Sequence, residues 1–266
     1  MRETRFTRQA RLRRVFYLAG REAYPTDYNE VSVTSLAYPA IPLAGSAFLA
    51  WAVRGRSSSV FGRSVWRGPR DRRAIALTFD DGPSEGTPRL LEMLARYRAP
   101  ATFFQCGANV ERLPGVAREV AAAGHAIGNH SHSHPYLFLR SPRAIEQDLR
   151  RAQETIEKAA GVRPDWFRAP FGARWFGLGG ALRRLELVGV MWTAIGYDWS
   201  LKANGVVARL ASRASNGAIL CLHDGRELQA RPDIGVTLEA VQTLVPLLQD
   251  QGYQFETVNR LLCPTT

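Results

Sequence analysis

Cysteine is scarce in this 266-residue chain: Cys106, Cys221 and Cys263 are the only three, odd in number and far apart. They allow no disulfide framework and no zinc-finger spacing, and read as buried or idle thiols. No internal repeat and no low-complexity block is present. Acidic residues are also few, 24 against 35 Lys and Arg, which leaves a net charge of +11 carried mostly by Arg. Such an excess suits nucleic acid, anionic lipid or cell-wall polymer. The arginines crowd into the first 73 residues and form no stripe interleaved with aromatics, which counts against nucleic acid. A hydrophobic fraction of 45% excludes wholesale disorder, and the length allows one sizeable core with an appendage.

Charge is missing altogether between Val31 and Val53. That run approaches the ~20 apolar residues a spanning helix needs, begins too late for a secretory leader, and has Trp51, an interface residue, near its end. Residues 31–53 therefore read as a membrane anchor. A buried helix is the alternative, because Pro39 and Pro42 remove backbone order that lipid cannot replace. Residues 1–30 read as a basic tail, with Arg2, Arg5, Arg8, Arg11 and Arg14 at every third position, and 54–73 as a basic linker. Arginine on both flanks leaves the orientation open.

From residue 74 to 262, short apolar runs alternate with helical patterns, the mark of parallel strands joined by crossover helices. Strands are expected at 74–77, 101–104, 124–128, 190–192, 218–222 and 253–258, with a further one ending at 167–168. A helix is expected between Ser141 and Gly161: Ser141 as cap, Pro142 in the first turn, and Ile145, Leu149, Ala152, Ile156 and Ala159 as one buried stripe.

Two features carry chemistry. Asp80 and Asp81 stand side by side where the first strand breaks at Gly82-Pro83. Like charges this close are costly unless a cation holds one of them. Downstream, His130, His132 and His134 lie within five positions, directly after a strand, in a chain with only five histidines. A helical turn would bring His130 and His134 together; an extended chain would align His130 with His132. Two imidazoles and a carboxylate make a catalytic zinc set with a position open for water. Asp81 can supply the carboxylate, leaving Asp80 as a base.

Taken in order, Thr78-Phe79-Asp80-Asp81-Gly82, His130-Ser131-x-x-His134-Pro135, Arg168-Ala169-Pro170-Phe171-Gly172, Asp198-Trp199 and Leu220-x-Leu222-His223-Asp224 resemble the five motifs of the polysaccharide deacetylase family. These are the NodB-like carbohydrate esterases, which include chitin and peptidoglycan deacetylases. The resemblance covers residues 74–262 and implies an α/β fold, a distorted (β/α) barrel with fewer than eight strands and its site at the strands' carboxyl ends. It implies that Asp81, His130 and His134 bind a divalent metal, zinc in most members and cobalt or nickel in some, with His132 at a variable position. It further implies Asp80 as general base, Arg168 as its partner, His223 as general acid and Asp198 as the carboxylate that pairs with His223. The Phe171 N–H would donate to the oxyanion. Trp199 and Leu222 would wall the substrate groove, with Leu222 beside the acetyl methyl.

Two departures stand out. Ile195 replaces the first carboxylate of the usual Asp-x-x-Asp-Trp pattern, which implies a changed subsite, and Phe171 stands where many members have Tyr. By strand alternation, Cys221 is expected to point away from the pocket. The expected activity is metal-dependent removal of acetyl groups from N-acetylglucosamine units of a glycan, by a monomer at the cell membrane with its catalytic body facing the envelope. The alternatives are hydrolysis of another amide, such as an acylated sugar lipid, and a carbohydrate-binding pseudoenzyme.

Overall fold

Along β2 (Ala74–Asp80), Ile75, Leu77 and Phe79 alternate with Ala74, Ala76, Thr78 and Asp80, and all seven are buried. A strand covered on both faces belongs in the middle of a parallel sheet. In the computed structural model, which describes residues 33–263 and side chains from residue 44 onward, β2 takes that place. It pairs in parallel with β3 (Ala101–Gln105) on one side and β8 (Ile219–His223) on the other, while β9 (Gln254–Glu256) pairs with its first residues. The nine-stranded sheet is completed by β1 (Ser64–Val65), β4 (Ala126–Asn129), β5 (Trp166–Phe167), β6 (Val188–Val190) and β7 (Ala194–Ile195). Its order is β1-β6-β5-β4-β3-β2-β8-β7, with β9 off this path.

β6 and β7 lie towards opposite ends of that order, yet only residues 191–193 join them. Four Cα steps reach at most about 14 Å, so the sheet has to curl until its ends nearly meet. At the seam the Thr193 hydroxyl donates to the Trp66 carbonyl at 3.0 Å. The result is a distorted barrel of parallel strands, as the family resemblance implies.

Strand parity then divides the core. Ile75, Leu77 and Phe79 join Leu90 and Leu94 of helix Thr87–Arg96, and Val241, Leu244 and Leu248 of helix Gly235–Asp250, in the layer between sheet and helices. Phe79 stacks on Phe103 with ring centroids 5.0 Å apart. Fully burying each such side chain is worth roughly 1.5–3 kcal/mol. Ala74 and Ala76 face the other way, onto Phe104, Val190 and Ile219. On that inner face, β2 goes from small apolar residues to Thr78 and Asp80 at its carboxyl end, where the site lies. Helix Pro142–Ala160 forms as its signals require: the Ser141 hydroxyl caps the Ala144 N–H at 3.2 Å, Gly161 ends it at φ 71°, and the stripe from Ile145 to Ala159 is buried.

The amino-terminal tail 1–30 and the start of the apolar run lie outside the described residues. The rest of that run forms helix Val33–Arg54. Among the described residues no helix is long and apolar enough to cross a membrane, so the anchor reading of 31–53 gains no support. The stretch 54–73 is not the free linker its composition suggests. It contributes β1, the buried Phe61, and an antiparallel bridge from Arg67 to Ala218. Its start is held by Arg174, which is 4% exposed and donates to the carbonyls of Val53, Gly55 and Ser58. A helix end leaves its last carbonyls without partners, and one guanidinium has five donors to offer them. Replacing that cation (Arg174→Met) is expected to cost about 1–3 kcal/mol, read as a lower urea midpoint, because the buried Ser58 carbonyl loses its donor while those of Val53 and Gly55 keep only a backbone N–H.

Candidate active site

β2 ends at Asp80, and the chain turns left-handed at Asp81, φ 72°. Simple alternation would send the two carboxylates to opposite faces; this turn brings both into one cleft. Asp81, Ser131, His134, Phe171, Tyr197 and Glu227 are six of the eight non-glycine residues with positive φ among the described residues, and all belong to the loops that build the site. Strained backbone gathers where the surrounding structure must impose a geometry.

Asp81 Oδ1 lies 3.2 Å from His130 Nε2 and 3.1 Å from His134 Nε2. The three residues are buried, and their ligand atoms all lie within 4.8 Å of one another. His130 Nδ1–H donates to the Arg168 carbonyl at 2.8 Å. That bond selects the tautomer whose Nε2 lone pair faces Asp81, the usual way a second partner orients a metal-binding histidine. One carboxylate oxygen and two imidazole nitrogens converging in a buried pocket fit a divalent ion of the zinc type. His130 and His134 meet without forming a helix. The His134 N–H donates to Ser131 Oγ at 3.1 Å, and the Ser131 N–H to Asn129 Oδ1 at 2.8 Å. Helix Pro142–Ala160 supports this loop through Asp148, which accepts from the His132 N–H at 2.8 Å and the Ser133 hydroxyl at 2.6 Å. The His132 ring turns aside, with Nε2 3.8 Å from Glu111.

Beside this set sits an ion pair. Arg168, wholly buried, donates to Asp80 Oδ1 at 2.6 Å, Thr78 Oγ1 at 2.7 Å and the Val190 carbonyl at 3.2 Å, with its guanidinium 4.1 Å from the centre of the Phe104 ring. A second pair follows β7 and β8. His223 Nδ1–H donates to Asp198 Oδ1 at 2.9 Å, while the His223 N–H and the Thr237 hydroxyl hold Oδ2 at 2.9 and 2.6 Å. Asp80, Asp81, His130, His134 and His223 line one cleft of about 560 Å³, together with Phe171, Trp192, Ile195, Trp199 and Arg54.

The sequence model for polysaccharide deacetylases matches residues 67–187. A peptidoglycan-N-acetylglucosamine deacetylase of Bacillus cereus is 34% identical over 205 residues, covering 76% of this chain and 93% of that protein. The chain belongs to the polysaccharide deacetylase family. A chitooligosaccharide deacetylase of Azorhizobium caulinodans is 33% identical over 209 residues, covering 74% of this chain and 98% of that one. Among solved structures, a CE4 family pseudoenzyme from Bacillus anthracis superposes with a TM-score of 0.68 at 26% identity, covering 74% of this chain and 68% of its own.

Charge explains the protonation that the site favours. Burial works against a charged His223, but the hydrogen bond and charge of Asp198, with Asp81 and Asp80 beyond, overcome it and raise the imidazole to about 9. This raised value adds stability that is fully present below the ordinary 6.5 and is lost as pH rises through about 9. Burial likewise pushes the Asp81 carboxyl up, but the His130 and His134 imidazoles beside it and the charge of His223 hold it well below the usual range.

Within this family's site, Asp80, Asp81, His130, His134, Phe171, Trp199 and His223 meet at the cleft, with Arg168 and Asp198 directly behind it. Leu222 does not. Because His223 faces inward, its strand neighbour faces out, and Leu222 is fully buried with Val206 and Val241 between sheet and helices. The residue expected to point away, Cys221, takes the inward position, with Sγ 3.4 Å from Asp80 Oδ2. Burial, then the charge of Asp80, drives its thiol pKa well up, so it meets the carboxylate as a protonated weak donor. Trp199 is half exposed, its ring edge-on to His223 with centroids 4.8 Å apart. Phe171 adopts φ 57° in the turn Pro170–Gly172 and stacks on Tyr136 at 4.1 Å. Its N–H makes no hydrogen bond among the described residues.

Sequence reasoning missed Asn129, Asp148 and Thr237, and also Asn109, whose amide donates to the Asp81 carbonyl at 2.7 Å. Asp148 and Thr237 look like ordinary polar positions on helices, and no local pattern marks them. Removing the charge on one side of the buried pair (Arg168→Met) is expected to destabilise the chain by about 3–5 kcal/mol in urea unfolding, since Asp80 is left buried and alone. Adding Asp80→Asn to that variant is expected to recover part of the loss, the non-additivity of a directly coupled pair.

Proposed function

We propose that the protein is a zinc-dependent hydrolase that removes acetyl groups from N-acetylglucosamine units of a glycan of the chitin or peptidoglycan kind. The observation that carries this reading is the convergence of the Asp81–His130–His134 set, the Asp80–Arg168 pair and the His223–Asp198 pair at one cleft. The activities named for the relatives from Bacillus cereus and Azorhizobium caulinodans support the choice of substrate.

Asp81, His130 and His134 would hold the ion, with cobalt or nickel as possible substitutes for zinc. Bound there, a divalent ion supplies Lewis acidity, which polarises a carbonyl oxygen and brings the pKa of water to about 7 in favourable sites. Asp80 takes a proton from the water that attacks the acetamide carbon, its carboxylate held by Arg168 on one oxygen and Cys221 on the other. The Phe171 N–H donates to the carbonyl oxygen as negative charge grows on it. An amine leaves poorly unless it is protonated, and His223, kept cationic by Asp198, gives its proton to the departing nitrogen. Acetate and the free amine are the products. An ion that neutralises Asp81 removes part of the lift on His223, which makes Asp198 its main support.

A binding-only role would fit a set with a missing member; here the residues read as ligands, base and acid are all present. Hydrolysis of an acylated sugar lipid drew its weight from the anchor reading, which gains no support from the described residues. An envelope location is part of the proposal because such polymers are found there.

Acetate release from chitin oligomers by the zinc-loaded chain tests the reading. Activity is expected to vanish with chelator and return with zinc; a zinc-loaded protein that frees no acetate from any glucosamine substrate would sink it. Asp80→Asn is expected to lower turnover at least ~10³-fold while keeping the metal, and His134→Ala to lose both. His223→Ala is expected to slow amides more than activated esters, whose leaving groups need no proton. Asp198→Asn removes the main support of the imidazolium, so the alkaline fall in kcat/KM is expected at lower pH than in the parent.

A further inference from the structure

We infer that Arg54 makes the cleft selective for a glycan that carries a carboxylate on the sugar next to the one being deacetylated. Arg54 lies before the residues matched by the family model, 67–187, yet it lines the same cleft as Asp80, Asp81, His130 and His134. Chain on both sides of it is already fixed: Arg174 binds the carbonyls of Val53 and Gly55, and Arg56 donates to the Thr193 carbonyl. Position 54 is therefore presented to the cleft with little ordering left to do on binding.

The other two arginines at the site are occupied. Arg168 is paired with Asp80 at 2.6 Å. Arg226 donates to the carbonyls of Gly225 at 2.7 Å and Asp198 at 3.2 Å, with the Asp198 carboxylate 3.8 Å away. Arg54, by contrast, is exposed and makes no ion pair or hydrogen bond among the described residues. A planar guanidinium with its donors free is suited to bidentate recognition of a carboxylate. The cleft's other unpaired rim charge is the carboxylate of Glu227, whose backbone N–H holds Asp81 Oδ2 at 2.9 Å. It repels an anion close to Asp81, which leaves Arg54 as the cleft residue suited to receive one.

The inference rests on the deacetylase reading only for its choice of a glycan. The test is calorimetric binding to the full-length, chelator-treated protein, which does not turn over and keeps the Arg168–Asp80 pair intact. The probes are N-acetylglucosamine oligomers whose alternate sugars carry a lactyl ether carboxylate, and the methyl esters of the same oligomers. The acid is expected to bind about 10-fold tighter than the ester at low salt, with the preference shrinking as salt rises. Arg54→Gln is expected to abolish the preference and Arg54→Glu to reverse it; unchanged melting temperatures show that both variants fold. Equal binding of acid and ester, or a preference that survives Arg54→Glu, overturns the inference, as does failure of either probe to bind. A charge preference that depends on Arg54, in a protein whose parent frees no acetate, supports this inference and overturns the deacetylase reading. Acetate release without a charge preference does the reverse.

Discussion

One buried contact, between the guanidinium of Arg168 and the carboxylate of Asp80, connects most of what the site needs. Taking both charges out of water is expensive, and the pair persists only because other groups complete it. Thr78, the Val190 carbonyl and the Phe104 ring face the guanidinium, and Cys221 faces the second carboxylate oxygen. The same residue also reaches the metal set from its backbone, since the Arg168 carbonyl takes the Nδ1 proton of His130. Arg168 thus sets the position of the Asp80 carboxylate through its side chain and the tautomer of His130 through its main chain. A change in β5 or the turn after it would disturb both at once.

Support for the cleft comes largely from helices that never enter it. Asp148 and Gln153, on helix Pro142–Ala160, hold the histidine loop, the first directly and the second through Asn129. Thr237, on helix Gly235–Asp250, fixes Asp198 and so the imidazole of His223. The barrel's curl makes this possible. Strands that meet at one mouth bring their loops within reach of the helices packed outside, and left-handed turns at Asp81, His134 and Phe171 then aim the side chains. Strain of this kind persists because several hydrogen bonds act on each loop together.

The segment before the family domain does more than lead into it. Arg174 follows the third motif by two residues and is spent on the carbonyls of residues 53–58, which brings a foreign arginine to the edge of the cleft. Variation outside the five motifs can in this way change the lining of the cleft and leave the motif residues alone.

Much of the molecule was legible in the residues by themselves. Alternation of short apolar runs with helical stripes determined a parallel α/β sheet, because burial on two faces and crossover connection leave few other solutions. Ser141, Pro142 and Gly161 determined the ends of one helix through local hydrogen bonds and backbone preference alone. The motif residues from Asp80 to His223 identified the chemistry, since the types and order of groups are so specific. What local sequence could not decide was facing. Cys221 and Leu222 exchange their expected places because parity on β8 is set by the inward demand of His223 and by helix packing on the other side. Residues 54–73 look like a charged tether, and distant contacts, among them Arg174, Gly189, Thr193 and Ala218, make them part of the body. Asp148, Thr237 and Arg54 gain their places from contacts more than fifteen residues away or from the shape of the cleft. Such contacts exist only once the sheet has curled, so tertiary structure alone decided them.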